Sequence, residues 1–396
     1  MRGNPRRVKS GLDVLLSEQK GLLRGRRFGL ICNQASVDSS LRSAVDSLAS
    51  CGEGKLSALF GPEHGLDGEA QDMAPVESRT DQRTGLPVYS LYGSQESSLE
   101  PAIEALRGLD LLLFDLQDVG ARYYTFSATM GAALKACAAA GIPMLVLDRP
   151  NPLGGTMVEG NLVRERFRSF VGRYPIPARH GMTMAELARL YNSCFGAGCD
   201  LEVVAMKGWI RKYWFDETGL PWVPPSPNMP TLDTAIVYPG SCLIEGTNLS
   251  EGRGTTRPFE WIGAPFLEPY GFRDALEAEQ LPGVHFRPMR FTPSFHKWAG
   301  KSCGGVQIHV TDRSVFKPYL TGLALLSAAL RLAPGRFEWR RDAYEFVTDR
   351  LAIDLLCGDE NIRLSLEQHR PLVEIEEGWQ EELASFLPLR ESVRLY

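Results

Sequence analysis

Asp110–Leu116 reads DLLLFDL, Thr125–Ala140 reads TFSATMGAALKACAAA, and Pro143–Leu147 reads PMLVL. The two short runs are apolar on both faces, and the Ala-rich stretch between them is long enough for a helix that stops at Gly141. A strand, a crossover helix and a second strand make a parallel pair, and strands apolar on both faces belong to a sheet covered by helices on each side. The same texture extends outward. Arg27–Cys32 (RFGLIC) and Lys55–Phe60 (KLSALF) read as buried strands, with Pro87–Leu91 as a short third. Ser39–Ala49 reads as a helix carrying Leu41, Ala44, Val45 and Leu48 on one face, and Glu100–Leu106 as another. Downstream, Met182–Cys194 is expected to be a helix with its N-cap near Gly181–Thr183, and Leu201–Met206 one more strand.

Beyond about residue 150 the texture changes. Asn151–Gly160 and Pro221–Pro230 are rich in Pro and Gly. From Ala235 onward, short strands (AIVYPG, GVQIHV) mix with a helix near Gly322–Leu330. The chain has 396 residues, too long for one ordinary core. The expected organisation is α/β: a parallel-sheet domain over residues 1–220 and a smaller α+β domain over residues 221–396.

Composition excludes several classes. Hydrophobic content of 44% and charged content of 23% are those of an ordinary globular protein, and a net charge of −5 lacks the basic footprint of a nucleic-acid binder. The eight cysteines form no C-x-x-C pair, and most of them read as buried free thiols, with no zinc set. Met1–Leu16 is basic without an apolar core, so no export signal is read there, and no run spans a membrane. The expected location is cytoplasmic. Phosphate-loop, dinucleotide-loop and G-x-S-x-G signatures are missing. No metal and no organic cofactor are implied.

In an open parallel sheet, ligands bind beyond the carboxyl ends of the strands. Those ends carry Asn33; then Glu63 and His64; then Gln117 and Asp118, followed by Arg122 and Tyr124; then Asp148, Arg149 and Asn151. Carboxyls at a partly dry cleft floor have their proton affinities pushed apart, so one serves as acid and another as base. The bland readings are specific too. Asp118 could cap the following helix, and Asp148 with Arg149 could be an internal ion pair. The second half adds Arg179 and His180, Ser226 and Asn228, and the stretch Glu245–Thr256 with Glu245, Thr247, Asn248, Glu251, Arg253 and Thr255. An Arg among glycines and hydroxyls suits a carboxylate or phosphate, although a glycine-rich surface loop would read the same way. His180 could equally be a satisfied structural histidine.

GPEHG (61–65), DLQDVGARYYT (115–125), DRPNPLGG (148–155), RHGMT (179–183), PPSPNMP (224–230) and EGTNLSEGRGTT (245–256), in this order, resemble the DUF1343 family, the NamZ-type exo-β-N-acetylmuramidases of glycoside hydrolase family 171. The resemblance runs from Gly11 to the C-terminus. It implies a Rossmann-like N-terminal domain, a smaller C-terminal domain and a cleft between them. It also implies release of non-reducing-terminal N-acetylmuramic acid from a saccharide fragment of peptidoglycan, with Glu63 as the leading catalytic residue. Relatives are often exported, and NQASVD (33–38) departs from the family's NQTGVD. A glycosidase needs an acid at the leaving oxygen and a base or nucleophile opposite. Glu63 is the expected acid. Asp118, Glu245, Glu251 and the substrate's own acetamido group are the open choices for its partner. Arg253 is the expected holder of the lactyl carboxylate, with Arg179 or Arg122 assisting. Two other readings are a sugar-binding protein without turnover and a hydrolase of another bond using Ser226 or His180.

Overall fold

The computed structural model describes residues 7–396; residues 1–6, the start of the basic N-terminal stretch, lie outside the described residues. Seven strands form the large sheet: β1 (Arg27–Cys32), β2 (Lys55–Gly61), β3 (Arg79–Thr80), β4 (Pro87–Ser90), β5 (Leu111–Asp115), β6 (Met144–Leu147) and β7 (Leu201–Val204). Their order is β3-β4-β2-β1-β5-β6-β7, and every neighbouring pair is parallel except β3 with β4. The chain winds outward from β1 in both directions, so the strand order reverses between β1 and β5, which is where open α/β sheets place their ligands. β5 and β6 are buried along their whole length, the burial that an apolar run without alternation announces.

Helices α1 (Gly11–Glu18), α2 (Ala44–Ala49), α3 (Ile103–Leu106), α4 (Phe126–Ala140) and α5 (Met184–Ser193) accompany this sheet. Gly141 closes α4 with φ 68°, a left-handed turn that glycine adopts without steric cost. Thr183 starts α5 through a reciprocal capping box with Glu186.

The remainder holds α6 (Leu232–Ser241), α7 (Pro269–Glu277), α8 (Pro318–Leu332), α9 (Ala352–Cys357), α10 (Glu360–Glu367), α11 (Leu372–Glu377) and α12 (Gln380–Ser392). It also holds an antiparallel sheet of β8 (Trp261–Ala264), β9 (Val284–Phe291) and β10 (Cys303–Val310), in the order β8-β10-β9. GVQIHV lies in β10 as expected. AIVYPG does not form a strand: it lies inside α6. A short run that is apolar all round reads alike for a buried strand and a buried helix. Tertiary packing decides it here. A Cβ on Gly240 would sit 1.9 Å from the Pro318 carbonyl oxygen, and one on Gly322 would sit 2.4 Å from the Gly240 oxygen, so α6 and α8 cross backbone to backbone.

The two parts are tied together. The Arg122 guanidinium donates to four carbonyls, of Asn161, Ile176, Leu356 and Cys357, which binds the large sheet's side of the molecule to α9. The C-terminal Tyr396 donates its hydroxyl to Asp148 at 2.7 Å. All eight cysteines are free thiols, six of them buried. Among the described residues no helix is long and apolar enough to cross a membrane.

Candidate active site

Glu63 follows directly on β2. Pro62 precedes it, and His64 and Gly65 are both left-handed, with φ of 71° and 82°, so the chain turns sharply and stands Glu63 on the sheet's edge. A non-glycine residue held there stores strain of roughly 1–3 kcal/mol. His64 Nδ1 donates to the Ala70 carbonyl at 2.8 Å and pins the turn. Glu63 is only 5% exposed. Its Oε2 accepts from the Thr125 hydroxyl at 2.7 Å and its Oε1 from the Met73 N–H at 3.4 Å. Thr125 is the residue before α4, but its hydroxyl does not cap the helix; it is spent on Glu63.

A cavity of about 510 Å³, counting its open mouth, lies above this floor. Glu63, His64, Tyr124 and Thr125 supply one wall, and Ser226 and Asn228 of the proline-rich loop another. Glu245, Arg253, Tyr344 and Glu345 form the far side, together with Asp72. The Tyr124 hydroxyl is buried here without a hydrogen-bond partner.

Most charges in the roof are satisfied within it. Arg253 lies 2.7 Å from Glu245, 3.3 Å from Asp72 and 3.3 Å from Glu251, with its guanidinium 5.0 Å from the centre of the Phe259 ring. Burial disfavours the Arg253 charge, but those three carboxylates outweigh it and hold the proton more tightly than usual. Glu251 is fully buried, with Lys297 at 3.0 Å and His296 at 3.1 Å beside Arg253. Burial pushes its carboxyl up, and Lys297, His296 and Arg253 hold it well below the ordinary range. His296 also faces Asp72 at 3.6 Å; Asp72 first, then Glu251, raise its imidazole to about 9. Glu245 accepts a second hydrogen bond from Tyr344 at 2.7 Å.

Glu345 is the exception. It is 6% exposed, its Oε2 accepts from the Tyr92 hydroxyl at 2.9 Å, and it pairs with no cation among the described residues. Burial first, and then the neighbouring Glu63, push its carboxyl well above the ordinary range.

The structure thus brings Glu63, His64, Tyr124, Ser226, Asn228, Glu245 and Arg253 to one cavity and leaves the other expected residues in its support. Asn33 donates to the Pro225 carbonyl at 3.1 Å and fastens the proline-rich loop to the end of β1. Gln117 donates to the carbonyls of Asp118 and Pro150. Asp118 accepts from the Gly120 N–H at 2.6 Å and faces His180 Nε2 at 3.4 Å; both are buried outside the cavity wall. Asp148 accepts from Ala185 and Tyr396, and its carboxyl is raised to about 7 by burial. The expected Asp148–Arg149 pair is replaced by a two-pronged Arg149–Asp115 pair at 2.6 and 2.8 Å. Asn151 bonds Met182 and Leu153, and Arg179 bonds the Leu153 carbonyl. Thr247 and Thr255 close local turns, and Asn248 holds Arg336 and Glu338 backbone. Glu251 does not line the cavity; Arg253 and, by way of His296, Asp72 link it to the wall. Sequence reasoning missed Asp72, Tyr92, His296, Lys297 and Glu345. Tyr92 follows the short strand β4, but the other four follow no parallel strand, and no local pattern marks them.

A two-part α/β protein with a carboxyl-lined cleft at the edge of its parallel sheet is a scaffold on which acid–base hydrolysis can be built. The chain belongs to the exo-β-N-acetylmuramidase NamZ family: the family's N-terminal model matches residues 28–233 and its C-terminal model residues 236–396. It is 47% identical over 390 residues to the peptidoglycan β-N-acetylmuramidase NamZ of Bacillus subtilis (strain 168), covering 98% of this chain and 92% of that one. Two crystal structures of DUF1343 family proteins from Bacteroides fragilis NCTC 9343 share the fold. One superposes with a TM-score of 0.88 at 35% identity and the other with 0.76 at 28%, each covering 98% of this chain and 99% of the other.

Proposed function

We propose that this chain is a glycosidase that releases non-reducing-terminal N-acetylmuramic acid from peptidoglycan fragments, with Glu63 as a general acid–base residue. The observation that carries the reading is Glu63 itself: a buried carboxyl without a cation, held by Thr125 and Met73 at the floor of a cleft. Cleaving an acetal asks for proton handling at the leaving oxygen and at water, which carboxyl groups supply. The family and the activity named for the Bacillus subtilis relative support the substrate class. In this reading residues 1–220 provide the catalytic floor and residues 221–396 complete the cleft.

The substrate differs from a glucosaminide by a lactyl carboxylate. Arg253 is already engaged by three carboxylates, so Arg340 takes the role expected of it. The Arg340 guanidinium lies behind two residues that line the cavity, 3.6 Å from the Met73 sulfur and 5.2 Å from the centre of the Tyr344 ring. Its hydrogen-bond acceptor there is the Ala343 carbonyl, and it pairs with no carboxylate among the described residues. A rival hydrolase mechanism lacks its base: His180 is fully buried, its Nδ1 accepts from the Met182 N–H and its Nε2 faces Asp118 at 3.4 Å, not Ser226.

The test is to incubate the purified protein with a chromogenic N-acetylmuramide, the matching N-acetylglucosaminide and an acetyl ester. Release from the muramide alone is expected. Release from the ester would favour another hydrolase, and saturable binding of the muramide without release would favour a sugar-binding protein.

A further inference from the structure

Four carboxyls line the cavity: Glu63, Asp72, Glu245 and Glu345. Asp72 and Glu245 are neutralised by Arg253, and Asp72 also by His296. Glu63 and Glu345 are paired with no cation among the described residues, and both are more than nine-tenths buried. Each of two unneutralised carboxyls lining one cavity raises the cost of charging the other. Their hydrogen bonds set them apart. Glu63 has two donors, the Thr125 hydroxyl and the Met73 N–H, and it sits beside the N-terminal end of α4, whose dipole favours an anion. Glu345 has one, the Tyr92 hydroxyl. Burial first, then the charge of Glu63, with Glu245 and Asp72 adding to it, push its carboxyl well above the ordinary range, and the Tyr92 hydroxyl offsets only part of that rise.

The backbone shows that this placement is imposed. Glu345 and Phe346 are consecutive non-glycine residues in the left-handed region, with φ of 47° and 68°. That conformation persists only where the surroundings enforce it. Phe346 packs edge-on against Tyr92, with ring centres 5.8 Å apart, so the aromatic pair fixes the donor that meets Glu345.

We propose that Glu345 is the second catalytic carboxyl of the cleft, the proton donor to the leaving oxygen, and that Glu63 is the base. This rests on the glycosidase reading and divides its labour. Glu345 passes its proton to the glycosidic oxygen as the bond from that oxygen to C1 breaks and the bonding pair leaves with the oxygen. Water supplies the oxygen of the new bond to C1, and Glu63 takes a proton from that water. One water is consumed, an acetal becomes a hemiacetal and an alcohol, and the proton on Glu63 returns through solvent to Glu345.

The test compares Glu345→Gln with Glu63→Gln on two muramides. One carries a nitrophenolate, which leaves without help, and the other an N-acetylglucosamine, which needs a proton to leave. Glu345→Gln keeps the shape and the Tyr92 hydrogen bond. It is expected to lose about 10²- to 10⁴-fold in kcat on the disaccharide and far less on the nitrophenyl substrate. Glu63→Gln is expected to lose on both. A second variant guards against misfolding: Tyr92→Phe removes a donor that favours the charged form, so the basic limb of the kcat/KM profile should move to higher pH. Equal losses of Glu345→Gln on both substrates, no loss on either, or an unmoved basic limb in Tyr92→Phe would overturn the assignment while leaving the glycosidase reading intact. If the wild-type protein released nothing from either muramide, that reading would fall and this one with it.

Discussion

The floor and the roof of the cleft are both rich in carboxyls, and they are built in opposite ways. In the roof, Glu251 is surrounded by Arg253, His296 and Lys297, and Glu245 and Asp72 share Arg253. At the floor and its opposite wall, Glu63 and Glu345 meet only hydroxyl and N–H donors. A carboxylate neutralised on several sides has little proton affinity left, so it can hold a structure together but cannot shuttle protons. A carboxyl with no cation keeps its affinity available. The catalytic candidates are therefore the carboxyls that the protein has left unpaired, and Glu251, attractive in the sequence, falls on the structural side.

The sharpest test of that division is Glu63→Gln. Loss of a general acid–base residue costs about 10²- to 10⁴-fold in rate, and the amide keeps the size and one acceptor of the original. The expected outcome is kcat reduced by that factor with an unchanged melting temperature. Near-native kcat on a substrate with a poor leaving group would remove Glu63 from the chemistry.

Arg253→Ala should break the roof. It strips the shared cation from Asp72, Glu245 and Glu251, and removing one partner of a buried ion pair typically costs about 3–5 kcal/mol. Urea denaturation should register a loss of that order, with activity falling equally on muramide and glucosaminide. A stable variant with a loss confined to the muramide would restore Arg253 to the lactyl carboxylate.

Arg340→Ala should have a smaller and selective effect. A hydrogen bond to a charged group contributes about 1.5–3 kcal/mol, so kcat/KM on the muramide should drop roughly ten- to a hundredfold. Activity on the glucosaminide, which lacks the carboxylate, should hardly change, and stability should hold because Arg340 is half-exposed. A parallel drop on both substrates would place the lactyl contact elsewhere.

How much of this was legible depends on whether the cause was local. β1, β5 and β6 announced themselves because a strand buried on both faces must be apolar throughout. Glu63 stood out because ligands gather at strand ends, and GPEHG follows β2 directly. The same rule over-reached at Asp148 and Arg149, whose charges are consumed by partners that only the folded chain supplies. α6 was hidden because its reason is a glycine contact with α8. Glu345 was hidden more deeply. It lies in a connection between α8 and α9, amid the polar run RRDAYEF, and its significance comes wholly from facing Glu63 across the cleft.

The smallest effect concerns His296, the titratable member of the roof. Both ring nitrogens face carboxylates, Nδ1 toward Glu251 and Nε2 toward Asp72, which suits the charged imidazolium with its two donors. Lys297 and Arg253, the other charges in this cluster, bind the same carboxylates and limit the gain. Asp72 and Glu251 raise the folded pKa to about 9, whereas an unfolded histidine titrates near ~6.5. A raised pKa means the folded state holds the proton after the unfolded state has released it. The stabilisation is therefore fully present below about pH 6.5 and is lost progressively as pH rises through about 9. His296→Asn is the suitable probe, because position 296 has φ of 67° and Asn tolerates that conformation better than most residues. The wild type should melt higher than the variant at pH 6, and the gap should narrow steadily and close by about pH 10. A gap that is constant across this range would mean that His296 contributes packing alone and that the roof is held by Arg253 and Lys297.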